Sequence, residues 1–122
     1  MPVRNFQELT VWQKAMDLVE EVYRLVRLLP PEERYALSDQ MRRAAVSVPS
    51  NIAEGQQRKS SKEFLQFLYV AKGSNAELVT QLLICQRLQY LTAAQIKTAM
   101  DLSDEIGRML TVLTGRLQRS AQ

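Results

Sequence analysis

Residues 9–29 of the chain read LTVWQKAMDLVEEVYRLVRLL, a stretch in which apolar side chains recur every three or four positions. This spacing is typical of an α-helix, and we predict one from about Leu9 to Leu29, ended by Pro30 and Pro31. The apolar residues form two adjacent seams along this helix. The Trp12 seam consists of Leu9, Trp12, Met16, Val19, Tyr23 and Val26, and the Leu18 seam consists of Val11, Ala15, Leu18, Val22, Leu25 and Leu29.

The two seams together are wider than one bundle core requires. A core-facing helix needs an apolar stripe just over ~100° wide, whereas the two seams cover roughly 200°. We predict that the Trp12 seam faces the core and that the Leu18 seam, through Val11, Leu18 and Leu25, forms an interface with another copy of the chain. The alternative is a splayed bundle that buries both seams internally.

Three further helices are indicated by their start and stop signals. Helix two is predicted to begin after Ser38 as its N-cap, to kink at Pro49 and to end near Gly55. Capping-box patterns, in which a hydroxyl precedes a carboxyl or amide side chain by three positions, open helices three and four. These patterns run from Ser60 to Glu63 and from Thr92 to Gln95, and the two helices are predicted to end near Gln89 and Arg119, with Leu88 facing inward.

The predicted fold is all-α. Connections this short place consecutive helices antiparallel, and no segment competes for a β-strand pattern. A chain of 122 residues is long enough for one hydrophobic core but not for two. We therefore predict a single domain over residues 1–122, an antiparallel up-down-up-down four-helix bundle that assembles as a homo-oligomer.

Composition argues against catalysis. The chain has no histidine, which removes the commonest general base and the commonest metal ligand. The Glu-x-x-His motif of di-iron bundles and the glycine-rich phosphate-binding loops are also absent. We predict a protein that is not an enzyme, with no catalytic residue, metal or cofactor, and a single cysteine, Cys85, that is buried and unreactive. Without a signal peptide or a membrane span of ~20 apolar residues, we expect it in the cytoplasm and away from membranes.

Polar residues interrupt the inward faces of helices two and three. Buried polar groups need partners, so we predict a structural polar network between the two helices. Its members are Arg43, Asn51, Glu54, Ser74 and Glu77. The alternative is a ligand or metal site between Glu54 and Glu77.

Basic residues concentrate near helix two and the connection that follows it. The net charge is +3, and no acidic residue occurs between Gln56 and Lys62. We predict that four side chains contact the phosphates of a nucleic acid, which supply affinity but little sequence information. They are Arg42, Arg58, Lys59 and Lys62. The alternative is a solvated surface without a ligand.

Three segments resemble the signature blocks of one family. They are FQELTVW at residues 6–12, RRAAVSVPSNIAEG at residues 42–55 and AKGSNAEL at residues 71–78. In these segments the chain is similar to the four-helix bundle family of 23S rRNA intervening-sequence proteins, to which accessory proteins of diversity-generating retroelements are related. Asn75 departs from the pattern, because a small residue such as alanine is expected there.

The resemblance implies a homopentameric ring with a basic surface. It also implies RNA or DNA as a partner and, in the retroelement branch, a reverse transcriptase. Both branches are compatible with the three segments. The functional prediction is a non-enzymatic homopentamer that binds nucleic acid, RNA in preference to DNA. The alternative is an oligomeric scaffold that recruits a protein partner such as a reverse transcriptase.

Overall fold

The computed structural model describes residues 5–121, which form four α-helices joined by short connections. The helices are α1 (Thr10–Val26), α2 (Leu37–Gln56), α3 (Ser61–Arg87) and α4 (Ala93–Ala121), and 3₁₀ turns cover Phe6–Glu8 and Pro31–Glu33. No β-strand occurs within this described range, so the predicted all-α class is confirmed. The predicted domain of residues 1–122 extends past it at residues 1–4 and at residue 122, which lie outside the described residues.

The helices pack in a closed cycle. α1 and α3 each contact both α2 and α4, whereas the diagonal pairs α1–α3 and α2–α4 make no close backbone contact within residues 5–121. At one end of the bundle, the Tyr90 hydroxyl of the α3–α4 connection donates a hydrogen bond to Glu33 of the α1–α2 connection. At the other end, Gln118 of α4 donates to Tyr69 near the start of α3. The predicted up-down-up-down bundle is therefore present in the single chain.

The rotation of α1 is opposite to the prediction. Val11, Leu18 and Leu25 are 6%, 0% and 0% exposed and pack in the chain's own core, so their predicted role as an oligomer interface is wrong. The Trp12 seam lies at the edge of the bundle, where Met16 and Tyr23 are 38% and 40% exposed. The physical reason is chemical, because the Leu18 seam is purely aliphatic, whereas Trp and Tyr side chains carry a polar group that suits half-burial.

The predicted capping box at Thr92 is formed in full, and the one at Ser60 is formed through one of its two bonds. The Glu63 N–H donates to the Ser60 hydroxyl at 3.1 Å, which caps α3. At the start of α4 the bonds are reciprocal, since the Gln95 N–H donates to Thr92 Oγ1 at 3.1 Å and the Thr92 N–H donates to Gln95 Oε1 at 2.8 Å. These starts depend only on residues three positions apart, which is why the sequence predicts them correctly.

Other boundaries differ from the prediction. α1 ends at Val26, earlier than Leu29, and α3 ends at Arg87, which leaves Leu88 52% exposed. Ser38 is not an N-cap, because α2 begins at Leu37 and Ser38 is buried. A carboxylate of Glu33 accepts the Leu37 N–H at 3.3 Å and takes the capping role from outside the helix.

The second half of α2 packs very closely on α3. α2 continues through Pro49, which is buried in the interior of the helix. Gly55, the second-last residue of α2, is buried against Phe64 and Phe67. A Cβ atom at Gly55 would lie 2.7 Å from the Phe67 Cβ, closer than real side-chain contacts allow. Glycine at this position is therefore required by the approach of α3.

Candidate nucleic-acid interface

Three of the four predicted phosphate contacts lie together. Arg58 and Lys59 follow α2 directly, and Lys62 is in the first turn of α3. Arg42 is in the second turn of α2, and sixteen residues at 1.5 Å each place it roughly 24 Å from Arg58. Within one subunit, Arg42 therefore lies apart from the other three predicted phosphate contacts.

Arg42 is occupied at the opposite end of the bundle. Its guanidinium donates to the Arg34 carbonyl at 3.1 Å and lies 4.0 Å from the Asp39 carboxylate. Its side chain is only 28% exposed. These contacts tie the start of α2 to the α1–α2 connection, which is a structural role.

Arg58 is held in position by two neighbours. Its Nη2 donates to Glu54 Oε1 at 3.0 Å, and its guanidinium carbon lies 4.7 Å from the centre of the Phe67 ring. The cation–π contact fixes the plane of the guanidinium against the protein. The side chain remains 44% exposed, so its outer N–H groups face solvent.

Lys59 and Lys62 are exposed and available. Neither takes part in an ion pair among the described residues. Between them, the Ser60 hydroxyl caps α3, so the partial positive charge of the α3 N-terminus lies at the same place. The connection between α2 and α3 therefore presents mobile ammonium groups beside a fixed guanidinium.

Sequence reasoning missed two further basic residues at this end. The hydrogen bond from Gln118 to Tyr69 brings the end of α4 to the start of α3. Arg116 and Arg119 lie on this last part of α4, and both are exposed. The signal was in the predicted topology, because an antiparallel bundle places the end of helix four beside the start of helix three. We call Arg58, Lys59, Lys62, Arg116 and Arg119 the basic end.

The predicted polar network is smaller than expected. Asn51 donates to the Ser47 carbonyl at 2.8 Å and to the Ser47 hydroxyl at 3.0 Å, and the Ser47 and Ser74 hydroxyls are 2.7 Å apart. Asn51 and Ser74 are thus linked through Ser47, which the prediction did not include. This cluster joins α2 to α3 at half-buried positions.

The charged members of the predicted network lie on the surface instead. Arg43 is 79% exposed and its Nε donates to Asp39 at 2.9 Å, while Glu54 is 57% exposed and bonded to Arg58. Glu77 is exposed on α3. Their inclusion in an internal network is wrong, because each long side chain reaches water or a partner on its own helix at lower desolvation cost.

The structure gives no support to a metal site between Glu54 and Glu77. Among the residues that the structure describes, no group of three or more His, Cys, Asp or Glu side chains could hold an ion. None of the helices in the described part of the chain has the length and apolarity needed to cross a bilayer.

Cys85 is buried beside Met41, with 3.6 Å between the two sulfur atoms. Burial raises the pKa of the Cys85 thiol from 9.0 to about 11, and the negative charge of Glu33 acts in the same direction. The hydrogen bond to Glu33 likewise raises the pKa of Tyr90 above its usual value. Both groups are therefore protonated at neutral pH.

We expect Cys85 to resist a disulfide-exchange reagent such as DTNB at pH 8 in the native protein and to react fully after unfolding in denaturant. Because the folded state holds the thiol proton more tightly than the unfolded state, the contribution of Cys85 to stability is constant below pH 9 and falls as the pH rises to about 11. Denaturant unfolding at pH 7, 9 and 11 measures this loss. Cys85→Ala should lose less stability over the same interval, and rapid labelling of the native thiol would contradict the assignment.

Comparison with known proteins assigns the family. The family model described as 23S rRNA-intervening sequence protein matches residues 7–112. A similar solved structure is that of a protein with unknown function from the S23 ribosomal protein family of Bacteroides thetaiotaomicron VPI-5482. It is 25% identical, the match covers 86% of this chain and 98% of that one, and the TM-score is 0.80. None of the curated proteins compared with the chain matches it. Since the matched region covers α1, α2, α3 and most of α4, the chain belongs to the 23S rRNA-intervening sequence protein family.

Proposed function

We propose that this protein is a non-enzymatic, cytoplasmic homopentamer of the rRNA intervening-sequence type that binds nucleic acid, RNA in preference to DNA. The observation that carries the proposal is the basic end, where Lys59 and Lys62 are exposed beside an Arg58 fixed over Phe67. The binding experiment below tests the preference for RNA against a DNA of the same sequence. No cofactor is required for this function.

The chemistry of the basic end suits a phosphate backbone. The lysine ammonium groups supply point charges that follow an irregular chain of phosphates, and the planar Arg58 guanidinium offers paired donors to one phosphate. Its ion pair with Glu54 is exposed and therefore weak, so a phosphate can replace that carboxylate. In a ring of subunits the basic end is repeated, and modest contacts at each copy add up through avidity.

Salt dependence of RNA binding tests the proposal. The affinity for a structured RNA should fall steeply with salt, and the triple variant Arg58→Gln/Lys59→Gln/Lys62→Gln should bind more weakly. Each lost phosphate contact lowers the slope of log affinity against log salt by about 0.7 to 0.9, so the slope should fall by about 2 to 3 for each subunit that contacts the RNA. Fluorescence anisotropy at several salt concentrations measures it, with a DNA of the same sequence alongside.

The matched control removes the same charge from elsewhere on the protein. Arg27→Gln/Arg34→Gln/Arg87→Gln changes three exposed arginines at the opposite end of the bundle and lowers the net charge equally. This variant should keep the wild-type slope. Equal effects of the two triple variants would show a non-specific attraction to the net charge, and absent or salt-independent binding by the wild type would contradict the proposal.

A second candidate is an oligomeric scaffold that recruits a protein partner such as a reverse transcriptase. It is favoured by exposed apolar residues at the end opposite to the basic end, where Tyr35 is 87% exposed and Leu28 is 50% exposed. A pull-down from native lysate with and without nuclease separates the two candidates. Partners that survive nuclease treatment and are lost in Leu28→Ser/Tyr35→Ser would favour the scaffold, whereas co-purified RNA favours the first proposal.

A further inference from the structure

A pocket of about 260 Å³ lies where the end of α1, the α1–α2 connection and the start of α2 meet. It is lined by apolar residues and by three arginines, Arg27, Arg34 and Arg42, and we call it the arginine pocket. No acidic residue is among the described residues that line it. A concave site lined by charges of one sign concentrates its field, so this pocket attracts anions.

The arginines of the pocket keep donors for a ligand. Arg27 and Arg34 are exposed, and neither forms an ion pair with another of the described residues. Arg42 donates to the Arg34 carbonyl at 3.1 Å and lies 4.0 Å from the Asp39 carboxylate. A guanidinium has five N–H donors, so these contacts leave several of them free on Arg42. Three guanidinium groups at one pocket offer the paired donors that phosphate oxygens accept.

Two carboxylates near the start of α2 are engaged by other donors. Glu33 accepts hydrogen bonds from the Leu37 N–H at 3.3 Å and from the Tyr90 hydroxyl at 2.8 Å. Asp39 accepts one from Arg43 Nε at 2.9 Å. Neither carboxylate lines the pocket, so neither occupies the place of an anionic ligand.

Ser38 is a buried polar residue of the pocket. It is 3% exposed, and its hydroxyl has no hydrogen-bond partner among the described residues. The hydroxyl oxygen is nevertheless not fully enclosed by protein atoms. The Ser38 N–H, in the first turn of α2, also lacks an acceptor within residues 5–121, because the first N–H groups of a helix have no intrahelical partner. A buried hydroxyl and a free amide at the positive end of a helix are both satisfied when an anion enters the pocket.

The shape and the remaining lining of the pocket indicate a small phosphate ester. A phosphate monoester carries nearly two negative charges at neutral pH and three terminal oxygens, enough acceptors for three guanidinium groups and a hydroxyl. The apolar residues Val26, Leu29 and Pro30 can contact a short carbon skeleton. Pro30 and Pro31 restrict the backbone of the connection, so the pocket is formed before a ligand arrives.

We propose that the arginine pocket binds the phosphate group of a small phosphate monoester. Arg27, Arg34 and Arg42 bind the phosphate oxygens, and the Ser38 hydroxyl donates a further hydrogen bond. This site goes beyond the proposed RNA binding, because it lies at the end of the bundle opposite to the basic end and uses none of its residues.

Calorimetric titration of the full chain with glycerol 3-phosphate tests the proposal. One ligand should bind per subunit, and glycerol, which lacks the phosphate, should not bind. The second pKa of a phosphate monoester is about 6, so binding should be tighter at pH 7.5 than at pH 5, where the ligand has lost one negative charge. The chain has no histidine whose own titration would imitate this change.

Substitutions assign the binding to the pocket. Arg27→Gln/Arg34→Gln should weaken it by roughly a hundredfold, a tenfold step for each charge-assisted hydrogen bond. Ser38→Ala should weaken it by roughly tenfold without lowering the melting temperature of the ligand-free protein, because no bond within the chain is lost. The matched control, Lys72→Gln/Arg87→Gln, removes two charges that have no ion pair among the described residues and should keep the wild-type affinity.

Two further probes identify the source of the phosphate. A free metabolite and the 5′ end of an RNA present the same group, so a dinucleotide with a 5′-phosphate is compared with its 5′-hydroxyl form. Tighter binding of the phosphorylated dinucleotide than of glycerol 3-phosphate would assign the pocket to an RNA end, and weaker binding would assign it to a free ester. The RNA of the salt titration carries a 5′-hydroxyl end, which keeps this pocket out of that measurement.

The result that would overturn the proposal is an absence of glycerol 3-phosphate binding, an equal affinity at the two pH values or an equal loss in the control variant. The titrations with glycerol 3-phosphate involve no RNA. If the pocket binds this probe as expected and the wild type fails to bind RNA, the phosphate site stands and only the nucleic-acid function fails.

Discussion

Gly55→Ala is expected to lower the free energy of unfolding by about 2–3 kcal/mol, the typical cost of forcing an extra methyl into a packed site. The new Cβ would lie 2.7 Å from the Phe67 Cβ and 2.9 Å from the Phe64 ring. The carbonyl of Phe64, at 3.2 Å, blocks the remaining direction, so α2 and α3 must separate. The melting temperature should fall by about 10 °C. Thermal and denaturant unfolding measure both quantities.

Gly73→Ala is the matched control and should have the opposite sign. A Cβ at Gly73 meets no atom within 4 Å, and the residue is exposed in the interior of α3. Alanine is better than glycine in a helix by about 0.5–1 kcal/mol, so this variant should be more stable than the wild type. Equal effects of the two substitutions would show that helix propensity, and not the approach of α3, sets the requirement at Gly55.

Leu18→Ala is expected to lower the free energy of unfolding by about 3–4 kcal/mol, because it removes a fully buried side chain and leaves a cavity. The effect arises within one subunit. The assembled mass of the folded protein should therefore be unchanged, whereas an interface residue would change the mass and leave the intrinsic stability of the subunit nearly intact. Urea unfolding at several protein concentrations, with sedimentation velocity, separates the two cases.

Met16→Ala provides the comparison on the other seam of α1. Met16 is 38% exposed in the isolated subunit, so truncation should cost about 1 kcal/mol or less in subunit stability. A large loss of subunit stability for Met16→Ala, together with a small one for Leu18→Ala, would restore the orientation of α1 predicted from the sequence.

The elements that the sequence predicts correctly depend on near neighbours. The caps at Ser60 and Thr92 and the prolines after α1 act on groups within four residues, so they operate in the same way in any fold. The apolar repeat likewise predicts four helices, and the short connections predict their antiparallel order. The burial of Cys85 follows from its position on an apolar face.

Only part of the candidate site could be predicted, because some of its residues are neighbours in sequence and others come from a helix that is distant in sequence. Arg58, Lys59 and Lys62 are neighbours in sequence and stay neighbours in space. Arg116 and Arg119 of α4 join the same end only because the bundle brings the end of α4 to the start of α3, where Gln118 donates a hydrogen bond to Tyr69. Arg42, the fourth predicted phosphate contact, lies outside the basic end because the length of α2 separates it from Arg58.

The sequence by itself determined four antiparallel helices, the starts of α3 and α4 and a basic connection, since each depends on contacts within a few residues or on the shortness of a loop. Only the tertiary structure decided which seam of α1 faces inward, because the apolar repeat is the same in both seams and their burial depends on the surfaces that the other helices offer. The same holds for the arginine pocket, whose residues come from α1, the α1–α2 connection and α2. Burial is a property of the whole bundle, and so is the surface that it leaves for a partner.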